Sequence, residues 1–160
     1  METNELQFTK LVKEQKNNIY TVCLMFADDN DDVEDLVQLT LVNLWKGFKN
    51  FEGRSSIGTW VWRVAMNTCI TADRKKKRRR QHEDVVDTLG LKEVKTDAAD
   101  DRQVQQLYSR IRRLGVFDRA IVLLWLENLS YDEIGAIVGI TPKNVGVRLV
   151  RIRQQLKEME

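Results

Sequence analysis

The residues of this sequence that could do chemistry are cations, amides and aromatic rings near its middle. Seven consecutive cations, Arg74 to Arg80, follow a segment that contains two tryptophans, an arginine and Asn67. Like charges along one helix repel each other, so the run indicates a polyanion partner. Aromatic rings stack on unpaired bases, and an amide can bind an extruded base. The pattern predicts capture of single-stranded nucleic acid, although Trp60 or Trp62 alone would more often be a core residue.

A second set of signals near the C-terminus predicts a helix-turn-helix motif. Ser130 and Glu133 have the spacing of a capping box, in which each side chain accepts the backbone N–H of the other residue. Gly139 can form a sharp turn, and Thr141 followed by Pro142 is typical of a helix start. In such a motif the second helix reads DNA.

The helical period of this reader helix separates an inner face from an outer face. Val145, Leu149 and Ile152 recur at helical spacing and are predicted to be buried. On the outer face, cations can neutralise phosphates or bind guanine, asparagine can read adenine, and valine can contact a thymine methyl. A plain surface helix is the alternative, but cap, turn glycine and proline coincide with the outward cations. The predicted DNA-contacting residues are Lys143, Asn144, Val147, Arg148 and Arg151.

The elements that position these residues are predicted to be helices only. Apolar residues make up 42% of the chain, enough for packed cores, and they follow helical periods with a single proline. Two net-basic blocks flank a net-acidic stretch that Gly90 interrupts. We therefore expect an all-α protein with two small helical domains, residues 1–80 and 101–160, joined by a flexible acidic linker, residues 81–100. The predicted helices are Leu6 to Phe26, Asp31 to Phe48, Thr59 to Arg80, one from about Asp101, Phe117 to Leu126, Ser130 to Val138 and Thr141 to Met159.

The second predicted helix is more apolar than one buried face requires. Beside a core stripe that includes Val33 and Leu36 runs another stripe at helical spacing. An apolar stripe rimmed by polar residues is typical of a protein-docking surface. Periodicity alone favours the alternative that both stripes are buried. The second stripe comprises Asp35, Gln38, Leu39, Val42 and Trp45.

Several classes of function are not supported by the sequence. Cys23 and Cys69 have neither a disulfide framework nor zinc-site spacing, which favours a reduced cytosolic compartment. The acids between Asp28 and Asp35 lack a second cluster, and His82 stands alone, so we predict no catalytic site, no metal site and no cofactor. The N-terminus lacks the pattern of a secretion signal, and no apolar run approaches the roughly 20 residues of a membrane span. A cytoplasmic protein that is not an enzyme is expected.

The order of these segments resembles bacterial RNA polymerase sigma factors of the extracytoplasmic-function (ECF) subfamily. The resemblance covers nearly the whole chain, and its segments are highly specific when they occur in this order and spacing. The matching segments are Asp32 to Gln38, Leu44-Trp45, Phe51 to Ser56, Thr59 to Thr68, Leu129 to Gly135 and Val145 to Arg153.

The resemblance implies a subunit that binds core RNA polymerase, directs it to specific promoters and helps melt the minus-ten element. It assigns docking on the β′ clamp helices to Asp35, Gln38, Leu39 and Leu41, which favours exposure of the second stripe over its burial. The C-terminal domain is implied to read the minus-thirty-five element and to contact the β flap. An anti-sigma factor, membrane-anchored in many relatives, is a further implied partner. The minus-ten residues that the resemblance implies are Arg54, Ser55, Trp60, Arg63, Asn67, Arg74, Lys75 and Lys76, with an extruded base near Asn67.

Three positions depart from the pattern of the resemblance. Thr71 stands where many relatives have aspartate, Gly146 where a basic residue is common, and Leu39 where an acid is frequent. The first two affect contacts with DNA, and the third predicts an apolar contact with polymerase. A stand-alone helix-turn-helix regulator is the alternative function, and it would require the N-terminal domain to be a sensor or dimerisation domain.

Overall fold

A computed structural model describes residues 2–82 and 102–159, and these residues form seven helices without strands. Contacts divide the chain into two compact units, Met1–Lys95 and Thr96–Glu160. The predicted all-α class is confirmed. Helix α3 continues to His82, two residues into the predicted linker. The rest of that linker, residues 83–100, lies outside the described residues.

The first unit is a bundle of three helices that pack against one another, α1 (Glu2–Phe26), α2 (Asn30–Phe48) and α3 (Ile57–His82). Val22, Leu44 and Met66 are fully buried where they meet. Helix α1 begins four residues before the predicted start because its first turn is polar and exposed, so no apolar period marks it. Asp29 caps α2 by accepting the N–H of Asp32 at 2.8 Å. This cap holds the turn between the first two helices.

The second unit consists of α4 (Arg102–Arg112), α5 (Val116–Leu126), α6 (Tyr131–Val138) and α7 (Pro142–Glu158). Ile121 and Leu124 of α5 and Ile134 of α6 are buried, and α5 packs against α6. The guanidinium of Arg119 donates hydrogen bonds to the carbonyls of Arg112 and Leu114, at 2.8 and 3.0 Å. These bonds satisfy carbonyls that the end of α4 leaves without helical partners.

Candidate nucleic-acid interface

The start of α3 is set by a serine cap that follows an exposed loop. The Ser56 hydroxyl accepts the N–H of Thr59 at 3.1 Å and donates to the Thr59 hydroxyl at 2.8 Å. The helix therefore begins two residues earlier than predicted, at Ile57. In the preceding loop, Gly53 has φ of +73°, a conformation that favours glycine. The loop thereby presents Arg54 and Ser55 to solvent.

The two tryptophans of this segment occupy different environments. Trp62 is buried in the bundle, as the core interpretation predicts. Trp60 is half-buried: its ring centroid lies 5.2 Å from that of Phe51. A Cβ added to Gly47 would lie 3.1 Å from the Trp60 ring, so the ring packs closely against α2. Much of the Trp60 ring is thus covered by packing, and the remainder of its surface is open to solvent.

The middle of α3 presents Asn67 to solvent directly beside the α2–α3 packing. Asn67 is exposed, and its amide forms no hydrogen bond with any described residue. The next residue, Thr68, is buried, accepts the amide N–H of Asn43 at 2.9 Å and donates to the carbonyl of Val64 at 2.7 Å. Asn67 is therefore free to bind a ligand while the residue beside it holds the helix in place.

Ion pairs divide the cationic run of α3 into engaged and available members. Lys76 pairs with Asp28 at 3.2 Å and also with Asp32, while Arg80 pairs with Asp28 at 3.2 Å. Burial disfavours the charged form of Lys76, but its hydrogen bonds and ion pairs with the two aspartates outweigh that effect and raise its pKa. Lys75 is exposed and forms no ion pair within the described part of the chain. Lys76, predicted to contact DNA, thus already has anionic partners in Asp28, which lies just before α2, and Asp32 in the first turn of α2.

The remaining predicted residues of α3 also lie on its exposed surface. Arg63 and Arg74 are exposed, and each has an intramolecular partner. Arg54, in the loop, pairs with Glu52 at 3.1 Å although both side chains are mostly in water. Exposed pairs of this kind contribute little stability.

The outer face of α2 carries the residues predicted to dock on polymerase. Asp35, Gln38 and Leu39 are exposed, and Leu39 retains 45% of its accessible surface. Val42, part of the predicted stripe but not assigned to docking, is 47% exposed beside them. Leu41 is half-buried. Leu39 and Val42 therefore place apolar side chains on this face beside the polar Asp35 and Gln38.

Beneath these faces, the two cysteines lie together in the bundle core. Cys23 and Cys69 are both buried free thiols. Their mutual hydrogen bond, together with burial, raises the pKa of Cys69 well above its usual value. The Cys23 sulfur also lies 3.7 Å from the hydroxyl of Thr40. The pair is part of the packing and is inaccessible to a ligand at the surface.

In the second unit, α6 and α7 form the predicted helix-turn-helix. The Glu133 N–H donates to the Ser130 hydroxyl at 3.1 Å, and the Ser130 N–H donates to the Glu133 carboxylate at 3.2 Å, which confirms the capping box. Gly139 is left-handed, with φ of +84°, and Thr141 accepts the N–H of Asn144 at 3.2 Å. Each of these features follows from the local sequence pattern.

Gly135 is a second essential glycine of this motif, and the sequence pattern does not reveal it. A Cβ at this position would lie 2.4 Å from the backbone carbonyl oxygen of Ile140. The carbonyl of Gly135 accepts the N–H groups of Gly139 and Ile140 at 2.8 and 3.1 Å. The chain after α6 therefore folds back directly onto Gly135.

Helix α7 separates its faces as its period predicts. Val145, Leu149 and Ile152 are buried, which confirms the inner face. Arg148 forms an ion pair with Asp118 of α5 at 3.2 Å, so its guanidinium is partly engaged within the unit. The residues predicted to contact DNA are all exposed: Lys143, Asn144, Val147, Arg148 and Arg151.

Two further aromatic contacts shape the surface around α7. The Arg153 guanidinium lies 5.5 Å from the centre of the Trp125 ring, a cation–π distance. Tyr131 is 45% exposed, and its ring would lie 3.4 Å from a Cβ at Gly146. Because Gly146 has no side chain, the Tyr131 ring can lie close to the reader helix at this position, where a basic residue is common in the family that the sequence resembles.

Within residues 2–82 and 102–159, no helix is both long and apolar enough to cross a membrane. The same residues contain no group of three or more histidines, cysteines and acids that could hold a metal ion.

Comparison with known protein families gives two matches in chain order. Residues 11–79 match the family described as Sigma-70 region 2, and residues 104–156 match Sigma-70, region 4. The first match covers the core and both exposed faces of the three-helix unit. The second covers the helix-turn-helix unit.

Individual relatives carry related names. The chain is 38% identical over 72 residues to ECF RNA polymerase sigma factor SigG of Mycobacterium tuberculosis, an alignment that covers 45% of this chain and 20% of that protein. It is 30% identical over 134 residues to RNA polymerase sigma factor YlaC of Bacillus subtilis, which covers 80% of this chain and 77% of that protein. The chain thus spans about a fifth of the length of the first of these relatives.

Among solved structures, the chain resembles the sigma factor RpoE of Bartonella quintana, whose structure was determined in complex with the anti-sigma factor NepR. The TM-score is 0.79 at 22% identity, and the match covers 95% of each chain. This likeness shows that the two proteins share a fold.

Proposed function

Because the chain belongs to the ECF subfamily of RNA polymerase sigma factors, we propose that it binds core RNA polymerase, directs it to specific promoters and helps melt the minus-ten element. The supporting observation is that each compact unit contains one matched sigma region. A stand-alone helix-turn-helix regulator is not favoured, since the three-helix unit matches a sigma region. The proposal assigns residues 1–80 to polymerase and the minus-ten element, 81–100 to the linker and 101–160 to the minus-thirty-five element.

Docking on the β′ clamp helices is assigned to the outer face of α2. Asp35 and Gln38 supply polar contacts at the rim, while Leu39 supplies exposed apolar area at the centre, and Leu41 supports them from a half-buried position. Val42 is added to this set because its exposure matches that of Leu39. Exposed apolar side chains in a polar rim are the usual composition of a protein interface.

Capture of the minus-ten strand is assigned to the loop and to α3. The amide of Asn67 is exposed and without an intramolecular partner, so it can bind a base without first breaking a bond. Lys75 can neutralise a phosphate without giving up a carboxylate. Binding of extruded bases then offsets the unstacking cost of a few kcal/mol per step. The remaining proposed contacts are Arg54, Ser55, Trp60, Arg63, Arg74 and Lys76.

The minus-thirty-five element is assigned to the exposed face of α7. Its N-terminal residues, Lys143 and Asn144, follow the Thr141 cap, at the end of the recognition helix that usually enters the major groove. Val147 and Arg151 continue this face one and two turns later. Arg148 must share its guanidinium between Asp118 and DNA.

The proposed partners include the β flap for the second unit and an anti-sigma factor. The structural relative RpoE was solved with the anti-sigma factor NepR, and the exposed apolar face of α2 offers a comparable inhibitor an accessible surface. The family consists generally of non-catalytic initiation factors. We assign the chain itself no catalysis and a place in the cytoplasm, where bacterial promoters are transcribed.

Co-purification of the full chain with core polymerase, followed by run-off transcription from a genomic library, tests the proposal. The expected result is a stable complex that initiates at a defined set of promoters. Tight binding to duplex DNA without association with core polymerase would refute the function.

Two substitutions then separate the roles of the two units. Asn67→Ala is expected to impair open-complex formation more than initial duplex binding, because its amide acts on an extruded base. Arg151→Ala is expected to weaken the closed complex instead. Equal losses in both steps for Asn67→Ala would contradict base capture at this residue.

A further inference from the structure

A groove between α2 and α3 lies directly beside Asn67. Its volume is about 650 Å³, within the roughly 300–1,000 Å³ that is typical of ligand sites. One wall is formed by α3 side chains three or four residues apart, including Asn67, Thr71, Lys75 and Arg79. The other wall is formed by Leu39 and Asn43 of α2. Leu39 has a proposed role in docking on polymerase, whereas Asn43 has no proposed role, so the groove borders the polymerase-docking face. The groove therefore brings a second amide to face the first.

The hydrogen bonds of Asn43 determine which of its amide atoms is available. The Thr68 hydroxyl gives its single proton to the carbonyl of Val64 at 2.7 Å. The Thr68 oxygen can therefore only accept at its 2.9 Å contact with Asn43, and the contacting atom must be the amide nitrogen. The Asn43 carbonyl oxygen has no hydrogen-bond partner among the described residues. The groove thus contains a fixed acceptor from α2 and the free amide of Asn67 from α3.

Charge is distributed unevenly along the cationic run at the end of the groove. Lys76 and Arg80 are paired with Asp28, and Lys76 also with Asp32. Lys75 and Arg79 line the groove, are exposed, and form no ion pair with any described residue. One helical turn separates these two cations, so both can approach the same segment of a polyanion. The groove is therefore complementary to an occupant with a polar flat group at one end and an anion at the other.

We propose that this groove holds one unstacked nucleotide of single-stranded DNA and that Asn43 is a second base-contacting residue beside Asn67. The inference rests on the proposed minus-ten function and adds an α2 residue to it. The base lies between the two amides, and its phosphate lies near Lys75 and Arg79. The acceptor at Asn43 favours bases that carry an exocyclic amino group over thymine, which carries none and presents carbonyl oxygens instead.

The test uses the full chain bound to core RNA polymerase and fluorescein-labelled 12-nucleotide probes. One probe is oligothymidine, and the others carry a single central adenine, cytosine or abasic position. Base discrimination is measured as the affinity for the adenine or cytosine probe divided by the affinity for oligothymidine. Each probe can slide along the protein until its substituted base reaches the groove. Asn43→Ala is expected to lower this ratio about fivefold, as the loss of one hydrogen bond predicts. The double substitution Lys75→Ala and Arg79→Ala is expected to weaken all probes alike and to reduce the slope of log affinity against log salt by about 1.4.

Thr68→Ser is the control for a structural role, because it keeps the hydroxyl that accepts the Asn43 amide N–H, whereas Thr68→Val removes that hydroxyl and lets the amide rotate. The proposal predicts that the ratio for Thr68→Ser stays within twofold of the unsubstituted chain and that Thr68→Val lowers it. It is overturned if Thr68→Ser lowers the ratio as much as Asn43→Ala, if Thr68→Val leaves the ratio unchanged, or if Asn43→Ala weakens all probes equally or none. If Asn67→Ala abolishes discrimination and Asn43→Ala does not, the role of Asn43 fails while the minus-ten function stands. If the unsubstituted complex shows no binding to any probe, the minus-ten function fails as well.

Discussion

The ion pairs that Asp28 forms with Lys76 and Arg80 lead to a quantitative prediction about DNA binding. Asp28 lies 3.2 Å from both Lys76 and Arg80, and its side chain is 53% exposed. Asp28→Asn leaves Lys76 with Asp32, whose side chain is only 17% exposed, but it leaves Arg80 without its carboxylate. The substitution therefore releases about one cation for phosphate binding.

One released cation should steepen the slope of log affinity against log salt for duplex DNA by about 0.9. An exposed ion pair contributes about 0.2–1 kcal/mol, so affinity at low salt should rise by a factor of roughly 1.4 to 5. The stability of the fold should fall by no more than about 1 kcal/mol for the same reason. Fluorescence anisotropy of the full chain with a labelled duplex, titrated at several salt concentrations, measures both quantities.

Asp31→Asn is the matched control, since it changes the net charge equally. Asp31 is exposed in the first turn of α2, three residues after Asp28, and forms no ion pair with any described residue. If the two variants behave alike, net charge alone explains the effect and the specific pairing with Arg80 is irrelevant. If Asp28→Asn weakens DNA binding, the carboxylate orients the cations for DNA and does not compete with it.

Three further predictions concern other parts of the chain. Gly135→Ala should lower the free energy of unfolding, measured by urea denaturation, by about 2–4 kcal/mol, because its Cβ would lie 2.4 Å from the Ile140 carbonyl oxygen. Gly146→Ala, whose Cβ would make only ordinary contacts at 3.4 Å, should instead raise the free energy of unfolding by up to about 1 kcal/mol. Equal effects of the two substitutions would contradict this account of the turn. The raised pKa of the buried Cys69 thiol keeps it neutral at the ordinary thiol value of 9.0. Iodoacetamide labelling of Cys69 in the native chain, followed by peptide mass spectrometry, should therefore not accelerate between pH 7 and 9, and rapid modification of Cys69 would refute this. If Arg151 contacts a phosphate, Arg151→Ala should reduce the slope of log affinity against log salt for the closed complex by about 0.9. An unchanged slope with an altered sequence preference would instead indicate a contact with a base.

Features of this protein that depend on neighbours a few residues apart are readable from its sequence. The Ser130–Glu133 capping box, the left-handed Gly139 and the Thr141 cap all occur as predicted, because each involves hydrogen bonds between residues no more than four apart. The same locality explains the correct division of α7 into a buried and an exposed face. Cationic side chains on the exposed face then indicate a polyanion partner without any knowledge of tertiary contacts.

Exposure of the second stripe of α2 could not be decided in this way. Periodicity is the same whether Leu39 and Val42 face solvent or a further helix, and the resemblance to a family favoured exposure. The bundle settles it: α1 and α3 bury the face that contains Leu36 and Leu44 and leave Leu39 and Val42 exposed. Trp45, the last member of the stripe, is instead half-buried, with its ring centroid 5.0 Å from that of Phe8 in α1. The number of neighbours available to a helix is a property of the whole unit and not of its sequence.

Long-range contacts, finally, are decided by the tertiary structure alone. Lys76 pairs with Asp28 across 48 residues and Arg148 with Asp118 across 30, so cations that look alike in sequence differ in availability. Gly135 is required because the chain returns to it at Ile140, and Asn43 faces Asn67 only because α2 and α3 pack side by side. Sequence determined which chemical groups this protein carries and which helix faces they occupy. Packing determined which of those groups meet, since the distance between residues far apart in the chain is fixed only when the helices are assembled.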